Sequence, residues 1–502
     1  MPLPDQSIPW PPPRMQPALK AMSTWDAWYG GDPERLTALY GGGAAGPQPK
    51  PVQYTDGWAG RISRWWWGTP PAEGEQRTKV HVPLAGDICA ASADLLFSEA
   101  PQFRADDEVT QARLDQLVDD GMHASLQTAA EVAAALGGVY LRPVYDQTLR
   151  DRPWIDAVHA DRAVPEFRWG QLSAVTFWRT LAEDNGIVWR HLERHEPERV
   201  FHGLYQGTPT KLGRPIPLED HPATQALAAR VGEDGGTATG YKRLDVSYIP
   251  NQPARKWRGI PALADLGRSD LEGLEPLLDT LDEVYASWMR DVRLAKGRLM
   301  VPNSMLQSNG PGRGATFNPD REILSGLEML TRGDGDALTI VQFAIRVKEH
   351  EDTANHWIDT IIRSAGYSAQ TFGRGGDVAV TATEVNARER RSITTGGKKQ
   401  LRWRPGLSQQ LEALLALDRE VFGSKVTPQP PDVEFGDSVR EDPLTIANTL
   451  EVLFRAQAMS TQVMVETLHP EWDAKRVQEE TNRILAETGK QVPDPMQLGD
   501  LV

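Results

Sequence analysis

His191 and His195 in HLERH stand four residues apart, the spacing that holds a metal on one face of a helix. The residues around them alternate as a strand does, and in a strand that spacing does not converge on one ion. His350, Glu351 and His356 form a second weak group, read as a solvated helix face. Cys89 is the only cysteine, so no cysteine pair can hold zinc and no disulfide can close within the chain. That usage fits assembly in a reducing compartment. No G-x-x-x-x-G-K-[ST] phosphate loop is present, and GPGRGA at 310–315 does not follow a strand as a dinucleotide fingerprint requires. There is no G-x-S-x-G elbow, and no spacing picks out a carboxylate pair for acid–base work. Enzyme chemistry therefore has no positive support, and no catalytic residue, metal ligand or cofactor is assigned.

One stretch does stand out. ARERRSITTGGKKQLRWR, residues 387–404, holds seven Arg and Lys and a single Glu389, in a chain of formal net charge −15. Three readings are open for Arg388, Arg390, Arg391, Lys398 and Lys399. They face acids of a neighbouring subunit, they touch phosphate, or they dock another protein. The acidic balance argues against wrapping DNA tightly, because tight binders neutralise phosphates with Lys and Arg. It leaves open a protein that DNA slides past.

These side chains must be positioned by elements, and the pattern is α+β, mainly helical. A chain of 502 residues implies roughly two to four domains. No run of 18 or more apolar residues exists, so no membrane span is expected, and MPLPDQSIPWPPPRMQ lacks the pattern of a secretory signal. Residues 1–76 are rich in Pro, Gly and Trp and read as an arm with little regular structure, in which Trp65, Trp66 and Trp67 dock on the body or on a neighbour. Leu84, Ile88, Leu95 and Leu96 recur near helical spacing between Pro83 and Pro101, and two further helices are expected at about 106–120 and 122–136, the second stopping at Gly137-Gly138. From 138 to about 206 the period drops to two, with a hairpin turn at Asp184-Asn185-Gly186.

The segment 269–296 then carries Leu271, Leu274, Leu278, Leu281, Tyr285, Trp288 and Val292 at +3 and +4 spacing, the seam of a long packed helix. Ser269 and Glu272 are placed for a capping box, while Pro276 predicts a kink or a late start. Strands at GRLMVP and LTIVQFAIRV bracket an excursion over 297–348. A helix over about 350–366 follows, with Trp357, Ile358, Ile361 and Ile362 on one side and a stop at Gly366. After QTFGRGGD comes a long helix from about 381 to 422, expected to break at Gly396-Gly397 and Pro405-Gly406. TPQPPD leads to a last helical region, 442–489.

The run YIPNQPARKWRGIPALADLGRSDLEGLEPLLDTLDEVYASWMRDVRLAKGRLMVP, 248–302, resembles the portal proteins of long-tailed bacteriophages, especially those of actinobacteria. Four further stretches match in family order: KVHVPLAGDICAASADLLFSEAP (79–101), SAGYSAQTFG (364–373), TATEVNARERRSITTGGKKQLRW (381–403) and TQVMVETLHPEWDAKRVQEETNRI (461–484). The resemblance covers about residues 79–487. It implies a ring, usually of twelve subunits, at one capsid vertex, with wing, stem, clip and crown around a channel. Mapped onto this chain, it implies a wing over 77–265, stem helices over 266–296 and 349–367, and a clip over 297–348. A tunnel loop and broken wing helix would occupy 368–440, and a crown with its tail 441–502. Gln370, Thr371, Phe372, Gly373, Arg374 and Asp377 would belong to the tunnel loop near the constriction. The clip is short here, and its GPGRG loop carries no recognisable family motif, so its contacts are not assigned by residue.

The implied partners are further copies of this chain, double-stranded DNA in transit, the large terminase subunit, the head–tail adaptor, and the major capsid and scaffolding proteins. The implied location is the virion vertex, and the host cytoplasm during assembly. The mechanism would be physical: acidic walls repel phosphates and keep sliding barriers low, while a separate motor hydrolyses ATP. The alternatives are another head–tail connector oligomer, an enzyme with an unrecognised site, or a DNA-binding regulator using 387–404. The last would show steeply salt-dependent binding to duplex DNA.

Overall fold

The computed structural model describes residues 3–4, 7–41, 80–146, 148–232, 235–294, 298–300, 307–308, 315–316, 339–341, 345–374, 382–436, 443–456, 458–469, 472 and 474–487. Two helices near the N-terminus, α1 (Gln16–Gly30) and α2 (Pro33–Gly41), overturn the expectation of an irregular arm. The reason is packing. Met22, Trp25 and Trp28 form one apolar face of α1 and, with Met15 just before it, are buried in the main core, so tertiary burial outweighs a Pro- and Gly-rich context. Before them, Trp10 packs edge-on against Trp178 at 5.6 Å. Trp65, Trp66 and Trp67 lie outside the described residues.

Next come α3 (Leu84–Phe97), β1 (Gln102–Arg104), α4 (Glu108–Asp119) and α5 (Met122–Leu136). Asp107 caps α4 by accepting from the Thr110 amide at 3.0 Å. Gly137, at φ +90°, ends α5, and a Cβ there would stand 2.9 Å from the Gly267 carbonyl. β2 (Gly138–Val144) and β3 (Trp154–His159) pair antiparallel, and the later segment Ser247–Pro250 adds a third strand on the other side of β2.

A larger antiparallel sheet contains β4 (Ala163–Arg168), β5 (Gln171–Asp184), β6 (Ile187–Glu196), β7 (Arg199–Thr208) and β8 (Lys211–Ile216), joined in chain order. The β5–β6 turn places Asn185 and Gly186 at φ 48° and 76°, the left-handed pair that a two-residue hairpin demands. A short helix, α6 (Pro222–Ala228), precedes β9 (Gly236–Ala238), which pairs with β7, and then β10 (Ser247–Pro250).

Helix α7 (Glu275–Leu294) starts late, as Pro276 predicts. Ser269 and Glu272 therefore make no capping box, because the helix begins after both; the Ser269 hydroxyl instead donates to the Ala134 carbonyl at 3.1 Å. Leu274, Leu278 and Leu281 are buried, Tyr285 and Trp288 are half-buried, and Val292 is 37% exposed. The seam thus weakens toward its far end. Beyond it, β11 (Arg298–Met300) pairs with β14 (Thr339–Val341), and β12 (Gln307–Ser308) with β13 (Ala315–Thr316). Helix α8 (Val347–Ala365) ends at Gly366, which has φ +102°.

Helix α9 (Ala382–Phe422) runs 41 residues without the predicted breaks. Gly396 packs closely on Leu95, and Gly406 lies where a Cβ would meet Ile249 at 2.6 Å. Gly406 thus serves close approach rather than a bend, and Pro405 costs the helix one backbone donor on an exposed turn. β15 (Asp432–Glu434) pairs with β1, and α10 (Pro443–Arg455), α11 (Thr461–Leu468) and α12 (Ala474–Glu487) follow. Among the described residues no helix is long and apolar enough to cross a membrane.

Candidate functional site

Helices α7 and α8 lie antiparallel, which two contacts establish. At one end the Tyr367 hydroxyl, just past α8, donates to Asp270 Oδ2 at 2.6 Å, just before α7. At the other, Asp291 near the end of α7 pairs with His350 at 2.9 Å and with Arg346 at 2.9 Å, at the start of α8. Trp288 stacks on His350. His350 is thus tied to α7, while Glu351 and His356 are exposed.

The root of this pair is a buried polar node. Lys399 of α9 donates to Asp270 Oδ2 at 2.5 Å, to the Tyr367 hydroxyl at 3.1 Å, and to the Ser92 hydroxyl. Asp270 Oδ1 accepts from Asn251 at 2.9 Å and Gln252 at 2.8 Å. Burial and the adjacent Asp270 carboxylate push the Tyr367 phenol well above its usual range. The node joins α3, the segment before α7, the end of α8 and the middle of α9. Lys399 is therefore removed from the set of subunit or DNA contacts: its ammonium is enclosed and its charge is neutralised within the chain.

The remaining basic residues behave differently. Arg390, Arg391, Lys398 and Arg404 are exposed on α9, and none has a carboxylate partner among the described residues. Arg388 belongs to α9, but its side chain lies outside the described residues. Trp403, on the opposite face, is buried edge-on against Phe97 at 5.0 Å.

The 370–377 stretch is tied down in its first half. Ala369–Phe372 form one turn of 3-10 helix, ended by Gly373 at φ +67°. Thr371 shares a 2.7 Å hydrogen bond with Ser392, and Arg374 reaches Asp359 at 3.0 Å and Asn355 at 2.6 Å. Phe372 packs against the core and Gln370 is half-buried, whereas Asp377 lies outside the described residues.

A second polar cluster sits in the large sheet. His191, Glu193 and His195 share one face of β6 because strand side chains repeat every two residues. His195 lies between Asp245 at 2.8 Å and Glu193 at 2.7 Å. Burial pulls its pKa down, but the two carboxylates outweigh burial and raise it to about 9. Arg142 binds both Glu193 and Asp156. Burial would raise the Glu193 carboxyl, yet Arg142 and His195 hold it well below its usual range. Burial lowers His191 to about 3, and it stacks on His202 with a 3.2 Å nitrogen–nitrogen contact. Among the described residues no group of three or more metal-ligating side chains is placed to hold a metal ion. The sequence held one signal for this cluster, the polar i, i+2, i+4 pattern of HLERH. Asp245, Asp270 and Tyr367 gave none.

Antiparallel sheets and an antiparallel helix pair are thus held together by buried polar clusters. The description "Phage portal protein, SPP1 Gp6-like" matches residues 71–494. The chain belongs to this phage portal family. No curated protein matches it. Among solved structures, "Neck of native GTA particle computed with C12 symmetry" is similar at 12% identity, with a TM-score of 0.41, over 84% of this chain and 93% of that one. At that score the likeness adds nothing to the assignment, which rests on the family match.

Proposed function

We propose that this chain forms a ring, usually of twelve copies, through which a phage genome enters and leaves the capsid. The family match over residues 71–494 carries this reading. The antiparallel α7–α8 pair supports its assignment as the stem, with 297–348 between them as the clip that meets the large terminase subunit and later the head–tail adaptor. The sheets within 77–265 and α9 are the wing, 370–377 the channel loop, and 441–502 the crown inside the capsid. The acidic chain, at −15 per copy, repels phosphates and keeps DNA moving. The ring sits at the vertex of a long-tailed phage of actinobacteria and assembles in the host cytoplasm with capsid and scaffolding proteins. Packaging energy comes from a separate ATP-driven motor.

Light scattering and negative-stain microscopy of the purified protein, and of capsid vertices, test the reading. Rings with a central hole and about twelve subunits are expected. A small symmetric dimer, with no ring either in solution or at the vertices, would sink it.

A further inference from the structure

The exposed face of α9 carries charge and an apolar residue together. Arg391, Lys398 and Arg404 recur at helical spacing, and Leu401 lies among them with 73% of its surface exposed. DNA phosphates satisfy the cations but leave Leu401 in water. A protein surface with acids around an apolar shelf satisfies both. The chain itself offers such a surface on α4. Asp115 and Asp119 are exposed there, with Asp106 just before the helix. None of the three forms an ion pair among the described residues. Between them lie exposed Ala112 and Val109, the latter 49% exposed.

The lengths agree. Ten residues separate Arg391 from Leu401, and ten separate Asp119 from Val109. Each interval spans about 15 Å at 1.5 Å per residue. In an antiparallel register, Leu401 rests on the Val109–Ala112 shelf. Arg391 then meets Asp119 and Arg404 meets Asp106, while Lys398 stands opposite Ala112 and extends about one turn along the helix to Asp115.

We infer that the basic face of α9 docks on the acidic face of α4 in a second copy of this chain. This rests on the ring reading and names the contact that builds the ring. The two faces differ, so the contact is heterologous, and a heterologous contact makes a ring when its rotation closes after a whole number of copies. The face is thus closed to DNA in the assembled state.

The test uses the full chain with Val109→Cys and Leu401→Cys, the two positions that this register sets opposite each other. Native Cys89 is fully buried and does not compete. Under oxidation a ladder of covalent multimers is expected on a non-reducing gel. Monomer bands alone, or a link closed within one chain, would overturn the inference. Reversal of Arg391, Lys398 and Arg404 to Glu should reduce the assembled fraction by about tenfold or more, equivalent to roughly 1.4 kcal/mol. Adding Asp106→Arg, Asp115→Lys and Asp119→Arg should restore most of it. If the first reversal leaves the ladder intact and lowers only duplex DNA retention, the face belongs to DNA. Imaging the unsubstituted chain separates the two ideas. Rings without a ladder sink this contact alone, a ladder without rings sinks the portal reading, and the absence of both sinks both.

Discussion

Lys399 shows how far a single residue can depart from its neighbours. Arg390, Arg391 and Lys398 face outward, while Lys399 is enclosed with Asp270, Tyr367 and Ser92. Lys399→Met should cost about 3–5 kcal/mol, because it leaves the Asp270 carboxylate buried without its cation. Adding Asp270→Asn should recover part of that loss. Urea denaturation followed by tryptophan fluorescence measures both, and an unchanged midpoint for Lys399→Met would refute the ion-pair account. The histidines of β6 set a pH window from two sides. His195, raised to about 9 when folded, contributes stability that is complete below about 6.5, the unfolded value, and is lost as pH rises through 9. At ~1.4 kcal/mol per pH unit this contribution is of order 3 kcal/mol. His191, lowered to about 3, contributes in the opposite sense, with stability lost as pH falls from 6.5 toward 3. A thermal midpoint that peaks between these limits is expected, with the alkaline decline flattened in His195→Gln. An equally steep alkaline decline in that variant would show that other groups govern it.

At the scale of elements, helix α9 separates what sequence pattern conveys from what it hides. Its extent was legible from the sequence pattern, as were β2, β3, β5, β6 and β7 and the stop of α8 at Gly366, whereas β4 was not read and Pro276 left a kink or a late start open for α7. Its continuity was not, because glycine and proline were weighed as local breakers whereas tertiary contacts decide the outcome. The two kinds of glycine should respond differently to alanine. A Cβ at Gly406 would press on Ile249 at 2.6 Å, so Gly406→Ala should destabilise by about 1–3 kcal/mol. Gly397 is exposed with nothing within 4 Å of its Cβ position, so Gly397→Ala should stabilise by roughly 0.5–1 kcal/mol. Thermal melts of the two variants moving in the same direction would contradict this division. The site was less legible than the fold. Asp270 and Tyr367 are 97 residues apart, and no local pattern marks a pairing made only when α7 and α8 fold back on each other.

For the whole molecule, the informative part is the one outside the family match, which begins at residue 71. Helix α1 precedes it, yet Trp25 and Trp28 are among the largest fully buried side chains of the protein. The Trp25 indole donates to Glu275 at 2.8 Å, at the first turn of α7, and Tyr29 donates to Glu131 of α5 at 2.8 Å. A segment that reads as an accessory arm therefore braces the point where the helix pair leaves the body. Trp25→Ala should cost about 3–5 kcal/mol through lost burial and the cavity left behind. A chain beginning at residue 80 should lose more, because it exposes the apolar surface of α3 and α5 that α1 covers, and it should aggregate. Soluble yield and thermal midpoint, compared with the full chain, measure this. A shortened chain that stays soluble and melts at the same temperature would show that α1 is an appendage, and that the body holds the α7–α8 pair in place without it.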